Sequence, residues 1–434
     1  MTNTIFRSSG LGVLVAFSIA MPASAQMASA STAALAMGDN FTAAARSLNA
    51  VAWNPAGLGL RGGELPSLTL LTMRGSNGIA PITLSDLTRF AGDIVPADIK
   101  ANWIARIEAT GGQTGSGSLE ATWGAFHVGR FGAQFSSSSR VMGDLSPGIA
   151  RLVMFGNADE NGDPQALDFD GSSFDLQAWS TAGVSYAQPI QFSSGRLSIG
   201  VTAKYSWGHL LASGGHSTGG ATADPVSVTL VFPVVQTILD SDSMSLDSGR
   251  GFGLDVGAAW QSGIWTFAAV AKNVVSQFEW QVADMRYRPL SLSLDGGTMR
   301  TETGVQPLSS APGSVQQMVA DLDFKKVYAL GAAATPSPKL LLTADARFSG
   351  NGGMLAHPSR HVGAGVQYRL LSWLPVRAGA AAIALEQEAG YQLGSGFGLD
   401  IGGWNVSASG SRRSTRRFGT ESALMFTLFG TGLR

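Results

Sequence analysis

The chain contains no cysteine, so neither a disulfide nor a thiolate metal centre holds it together. Charge is also scarce: 14% of the 434 residues are Asp, Glu, Lys or Arg, against about a quarter in an ordinary soluble protein. Beyond the N-terminus, no predominantly apolar, uncharged run reaches the roughly 18 residues that a spanning helix needs. The mean hydropathy of +0.14 is too low for a bundle of such helices. A net charge of −1 gives no electrostatic reason to expect nucleic acid. What remains is a surface too apolar for water and no helix to cross lipid. A sheet closed on itself satisfies both conditions, because lipid cannot bond free backbone N–H and C=O groups.

Glycine is abundant, at 56 residues, and alternation is the dominant pattern. Leu197 to Trp207 puts an apolar residue at every odd position and a small or polar one at every even position, the period of a strand with one oily and one wet face. Comparable segments run from Pro66 to Arg74, Leu119 to Phe126, Phe131 to Ser138, Ser172 to Tyr186, Arg196 to Gly208, Gly251 to Trp260 and Ile264 to Asn273. They continue from Lys326 to Ala334, Leu340 to Phe348, His361 to Arg369, Pro375 to Ala384, Tyr391 to Gly402, Trp404 to Ser411 and Ser422 to Phe429. The expected fold is therefore all-β, a transmembrane antiparallel barrel of about 14 strands.

Connection lengths support that reading independently. Short links at 127–130, 187–195, 261–263, 335–338, 370–374 and Gly403 alternate with long stretches at 75–118, 139–171, 209–250, 274–325 and 349–360. Bacterial barrels sort periplasmic turns from external loops in this way. Charges fall on the wet face, as where Thr343, Asp345 and Arg347 oppose Leu342, Ala344 and Phe348. Trp123, Tyr186, Tyr205, Trp207, Trp260, Trp265, Tyr368, Trp373 and Trp404 stand near strand ends, where interfacial girdles form. The phrase Gly251-Phe-Gly-Leu-Asp255-Val-Gly returns from Gly396 through Asp400, and we read it as two equivalent strands.

At the front, Arg7, an apolar core from Leu11 to Met21 and Ala23-Ser24-Ala25 have the form of a secretion signal with its cleavage site. Residues 1–25 are thus expected to be removed, 26–65 to form a separate N-terminal segment and 66–434 to form the barrel. Within that segment, Gly38-Asp-Asn-Phe41 precedes Trp53-Asn54-Pro55-Ala56-Gly57-Leu58. The helical spacing breaks at Asn54-Pro55, since proline removes a donor and biases the residue before it away from helix.

At these residues the chain resembles the FadL-type superfamily of outer-membrane transporters for hydrophobic compounds, including the related PorV-like barrels of secretion systems. Gly38 to Phe41 and Asn54 to Gly57 match the family's N-terminal motif, while Gly363 to Arg369 and Leu374 to Ala380 look like its strand phrases. The resemblance implies a fourteen-stranded barrel in the bacterial outer membrane, with the N-terminal segment folded into the lumen as a hatch. It implies passive transport of long-chain fatty acid-like or aromatic molecules with no cofactor. The alternative is a scaffold that binds secretion-system proteins. Outer-membrane lipid is a partner in both cases.

Thr83 to Gly92, Ala97 to Ala109 and Ser314 to Leu322 carry helical periodicity and are expected as short loop helices forming a greasy cap. Lys204, Asp255, Lys272, Asp345, Arg347, Arg377 and Asp400 are expected to face the lumen as ion-pair networks. Arg412, Arg413, Arg416 and Arg417 flank the last external loop, placed to meet lipopolysaccharide phosphates. Asp159, Asn161, Asp163 and Asp170 have calcium-loop spacing, but Pro164 stands where such a loop wants glycine, and a solvated acidic loop is the better reading. Of the five histidines, His127 is placed in a periplasmic turn, His209 and His216 in a Gly/Ser-rich loop, and His357 and His361 beside an external loop. None accompanies a serine in a strand motif, so no enzyme is expected.

Overall fold

The computed structural model describes residues 27–431 apart from 158–162, 164, 216, 224–226, 238–246, 296–297, 351–353, 355–358, 386–387 and 417. The signal-like segment 1–25 lies outside the described residues. Fourteen strands make the wall: β1 (Ser67–Ala80), β2 (Gln113–Val128), β3 (Phe131–Leu145), β4 (Ser173–Phe192), β5 (Gly195–Gly214), β6 (Gly249–Ser262) and β7 (Trp265–Trp280). The second half is β8 (Val327–Ser337), β9 (Leu340–Ser349), β10 (Arg360–Leu371), β11 (Leu374–Leu385), β12 (Glu388–Ile401), β13 (Trp404–Thr415) and β14 (Gly419–Thr431). Each expected strand has its counterpart. Each pairs antiparallel with the next, and β14 pairs with β1 from Gly430↔Thr69 to Glu421↔Gly78, so the sheet has no open edge.

One end of the barrel is trimmed to the minimum. Residues 129–130, 193–194, 263–264, 338–339, 372–373 and 402–403 are two-residue hairpin turns, shorter than the links read from the sequence except at Gly403, where Gly402 joins it. Gly402 and Gly403 both have positive φ, the pair of left-handed conformations that matches the twist of the flanking strands. The other end carries the long connections. Here the strands run farther than alternation alone indicated, β7 to Trp280 and β3 to Leu145, and the buried face of the β7 tip, Phe278 and Trp280, packs into the cap.

The cap holds helices α3 (Leu84–Thr88), α4 (Ala97–Thr110), α5 (Pro147–Phe155) and α6 (Gly313–Ala320), after α1 (Ala33–Ala36) and α2 (Asn49–Trp53) in the N-terminal segment. Thr83 caps α3 in a reciprocal capping box with Asp86, and Gly111 at φ 78° ends α4. Trp103, Ile104 and Ile107 of α4 are buried with Ile82, Leu87 and Ala150. A second apolar core gathers Trp179, Leu211, Phe278, Trp280, Met285 and Val319. The expected helices are present, and α5 and a five-stranded loop sheet are additional. In that sheet Leu167–Asp168, Thr218–Thr222, Ser227–Val231, Ser291–Asp295 and Thr298–Glu302 pair in sequence. Gly148 permits α5 to lie on it, since a Cβ there would stand 1.7 Å from the Asp168 oxygen.

Outward rows are apolar, including Leu424, Phe426 and Leu428 of β14 and Val362, Ala364 and Tyr368 of β10. Trp123, Trp265, Trp373 and Trp404 are half-exposed on the outer face, as read. The Gly-Phe-Gly-Leu-Asp echo does not mark equivalent strand positions. Asp400 lies one residue from the end of β12 whereas Asp255 is deep in β6, so the two phrases are offset along the barrel wall.

Candidate functional site

Residues 27–60 are almost wholly buried, and their contacts run around the whole ring of strands. Thr72 of β1 bonds the Ala30 oxygen at 3.0 Å, Thr122 of β2 the Ser29 oxygen at 3.2 Å and Gln134 of β3 the Ala28 oxygen at 2.5 Å. Lys272 of β7 bonds the Ala52 oxygen at 2.7 Å. Asp345 of β9 accepts from both Phe41 N and Thr42 N at 2.8 Å. Asn40 donates to the Ala364 and Ala380 oxygens of β10 and β11, at 3.0 and 3.2 Å, and meets His361 Nε2 at 3.0 Å. Leu35 packs on Ala423 and Met425 of β14. A peptide touching strands on every side of a closed cylinder lies inside it.

Glycine makes that fit possible. A Cβ at Gly257 would stand 2.0 Å from Asn54 Oδ1, at Gly200 2.3 Å from the Pro55 carbonyl carbon, and at Gly379 and Gly394 2.1 and 2.2 Å from Met37 and Leu35 backbone atoms. At these positions the inner wall gives up side chains to the peptide. Part of the glycine excess is thus an imprint of the enclosed segment. The Asn54-Pro55-Ala56-Gly57 phrase is explained in the same terms. Asn54 Oδ1 accepts from Ala56 N at 3.1 Å, capping a 3-10 turn over Pro55–Gly59. Gly57 fits against the Ala45 oxygen, and Leu58 packs with Ala50 and Ala187.

Trp53, at the start of the motif, is held differently. Lys272 Nζ lies 5.4 Å and Arg347 Cζ 5.2 Å from the centre of its ring, and Phe41 meets it edge-on at 5.8 Å. Arg347 also donates to the Asp39 oxygen at 2.6 Å. Asp39 accepts from Gln392 at 2.7 Å. Burial pushes its carboxyl up, but the charges of Arg74 and Arg347 and the Gln392 bond outweigh this and leave it below its ordinary value.

Of the seven expected interior charges, Lys272, Asp345 and Arg347 therefore meet the N-terminal segment. Lys204 and Asp255 form a buried pair at 2.6 Å. Arg377 and Asp400 do not join them: Arg377 bonds Gln367 at 2.7 Å, and Asp400 pairs with Arg369 at 3.2 Å near the two-residue turns. Sequence reasoning had Asp39 and Asn40 only within the Gly38 to Phe41 motif and His361 only beside a loop, and it missed Arg74 and Gln392. Continuing the parity of the strands turns His361 and Gln392 inward, but not Arg74, because β1 breaks its alternation between outward Leu70 and inward Thr72.

Asn273 was also missed. It carries φ 54° and donates its N–H to Asp255 Oδ1 at 2.8 Å, while Lys204 Nζ donates to its Oδ1 at 2.5 Å. Opposite it, β6 shifts register between Leu254 and Val256. Up to Lys272↔Val327, β7 is paired with β8, and beyond that point it is paired only with β6. β8 begins only at Val327; before it the Asn273 and Ser276 side chains of β7 donate to the Lys325 oxygen and to Asp323, each at 2.9 Å, and a cavity of about 740 Å³ adjoins this junction. Val274, Val275, Phe324, Tyr328 and Phe348 line it together with Asp323, Lys325 and Lys326. Its size suits a small organic molecule, for which pockets of about 300–1,000 Å³ are usual.

The arginine cluster is divided. Arg412 and Arg416 are exposed, whereas Arg413 turns inward to Gln392 and Glu421, which removes it as a surface contact; Arg417 lies outside the described residues. Asp159 and Asn161 also lie outside them. Asp170 accepts from Gly219 N, and among the described residues no three acidic or histidine groups could hold a metal. His127 is buried within β2, not in a turn, and His209 belongs to β5, not a loop.

Among solved structures, the fold is similar to that of a Pseudomonas aeruginosa FadL homologue, at a TM-score of 0.50 and 14% identity over 95% of this chain and 98% of that one. A TodX deletion mutant, a monoaromatic hydrocarbon channel, also gives 0.50, at 12% identity over 92% of this chain and 97% of that one. The chain therefore has the fold of the FadL-type outer-membrane barrels. Residues 111–281 match a sequence family described as the F plasmid transfer operon protein TraF. No curated protein matches in sequence. Nothing in these likenesses adds support for a secretion-system partner.

Proposed function

We propose that this protein is a passive outer-membrane transporter of hydrophobic compounds, fatty acid-like or aromatic. The observation that carries the reading is the cavity at the β7–β8 junction. Of ligand size, it is walled by Val274, Val275, Phe324, Tyr328 and Phe348 beside charged Asp323, Lys325 and Lys326, and it lies where β7–β8 pairing stops. In this reading residues 26–65 are the hatch. The apolar cap captures the molecule, the cavity receives it, and the hatch moves around Asn54-Pro55 to let it pass. Apolar burial at about 25 cal/mol per Å² supplies the affinity, and the gradient supplies the drive. Arg412 and Arg416 face the outer leaflet, where they meet lipopolysaccharide phosphates. The test is uptake of radiolabelled oleate and toluene by cells with and without the protein. Faster uptake in cells that have it is expected, and equal rates would overturn the proposal.

A further inference from the structure

A polar row crosses the outer face of the barrel toward its external rim. Arg250 of β6 stands opposite Trp207 of β5, Trp207 opposite Ser180 of β4, and Ser180 opposite Ser137 of β3. Their neighbours on the same face, Tyr205, Val184 and Phe135, are exposed, so the row belongs to the outward face, with Ser180 itself only 7% exposed beneath its neighbours. Polar groups there are costly unless bonded. These are bonded in series: Trp123 Nε1 donates to Ser137 Oγ at 2.9 Å, the Ser137 and Ser180 hydroxyls are 2.8 Å apart, and His209 Nε2 lies 2.8 Å from Ser180 Oγ.

His209 reaches this face through a bulge. Trp179 pairs with Gly208 and Ala178 with Leu210, leaving His209 between them as the extra residue. Below the bulge, odd-numbered Tyr205 faces out, while above it odd-numbered Leu211 is buried. Re-aiming one side chain at a local cost is what bulges beside active sites do. Asp247 adjoins it, because Gly249 pairs with Gly208 and Ser248 N bonds the Gly208 oxygen. The Asp247 carboxylate accepts Arg250 Nε at 2.8 Å. Its carboxyl is held below the ordinary value, first by that bond and further by the charges of Arg250 and His209.

We propose that Ser180, His209 and Asp247 form a lipid-facing hydrolytic triad that cleaves the acyl ester of an amphiphile in the outer leaflet. Ser180 Oγ attacks the ester carbonyl carbon as its proton passes to His209 Nε2. The tetrahedral adduct collapses, the bond to the alcohol oxygen breaks, and that oxygen takes the proton from His209. Water then adds to the acyl-serine, His209 Nε2 accepts its proton and returns it to Ser180 Oγ, and a carboxylic acid leaves. Asp247, brought beside His209 by the Ser248–Gly208 backbone bond and held by Arg250, is the positioning residue for the imidazole. Arg250 lies two strands from Ser180, about 10 Å away, and its mostly exposed guanidinium suits an anionic headgroup. The triad is independent of the transport reading.

The test treats the folded full-length barrel in detergent with a fluorophosphonate probe and maps the adduct by mass spectrometry. In parallel, fatty acid release is measured from phosphatidylglycerol vesicles that contain the protein. Labelling of Ser180 is expected in the wild type and in Ser137→Ala, with none in Ser180→Ala. Labelling and release should be slower by roughly a hundredfold or more in His209→Asn. Asp247→Asn should slow labelling, and Asp247→Glu should restore part of the rate, because the carboxylate and not the bulk of the side chain orients the imidazole. Heat-modifiable gel mobility confirms that each variant is folded. Absence of an adduct on Ser180 of the wild type, or release that persists unchanged in Ser180→Ala, would sink the proposal.

Discussion

Two kinds of grip hold the enclosed peptide. Around Leu35 to Met37 and Asn54 to Gly59 the grip is steric: backbone rests on Gly394, Gly379 and Gly200 and the Asn54 side chain on Gly257, and there is no room for one added carbon. Around Asp39 to Thr42 and Ala52 to Trp53 the grip is electrostatic, made of Asp345, Arg347 and Lys272 bonding to backbone and ring. Close packing is bistable and tolerates little deformation, whereas a few charged bonds can be exchanged for water one at a time. The first arrangement fixes where the peptide docks, and the second is suited to release it.

The sharpest way to break this contrast is Gly257→Val. Overpacking of this kind costs about 1–3 kcal/mol, and here it displaces Asn54 and its cap. The expected outcome is a lower unfolding midpoint in urea and new protease cleavage within residues 38–60. Cleavage that matches the wild type would mean that the glycine wall does not seat the peptide. Lys272→Met should cost less, about 1–2 kcal/mol for one charged hydrogen bond and the contact with Trp53. Its main effect should be functional, with more frequent openings in planar bilayers while the unfolding midpoint falls by no more than that cost; silent recordings would deny the electrostatic grip its role. Gly75→Ala sharpens the comparison from the other side. Nothing lies within 4 Å of an added Cβ there, so its midpoint should stay within about 0.5 kcal/mol of wild type.

The wall was legible because alternation is local: each strand declares its two faces within ten residues or so. The cap was legible where helical spacing and caps coincide, as at Thr83 and Gly111, and illegible at α5, whose Gly148 answers a contact with Asp168 far along the chain. Interior charges could be assigned to a face, yet not to partners. Lys204 and Asp255 read the same as Arg377 and Asp400 until register separates them. The bend at Asn273 and the bulge at His209 were invisible for a related reason, since each reverses the parity on which the strand reading depends. Arg413 was misjudged as a surface group because its neighbour Arg412 is one, although adjacent residues of a strand point to opposite faces.

The inner glycines carry a further implication. By yielding their side chains to a visitor, the strands have surrendered the means to plug themselves, and a barrel stripped of residues 27–60 would be an unguarded hole whose bore is set by bare backbone. If residues 26–65 are the hatch we propose, whatever barrier this cylinder raises against water-soluble molecules rests on a few dozen residues of its own leading peptide.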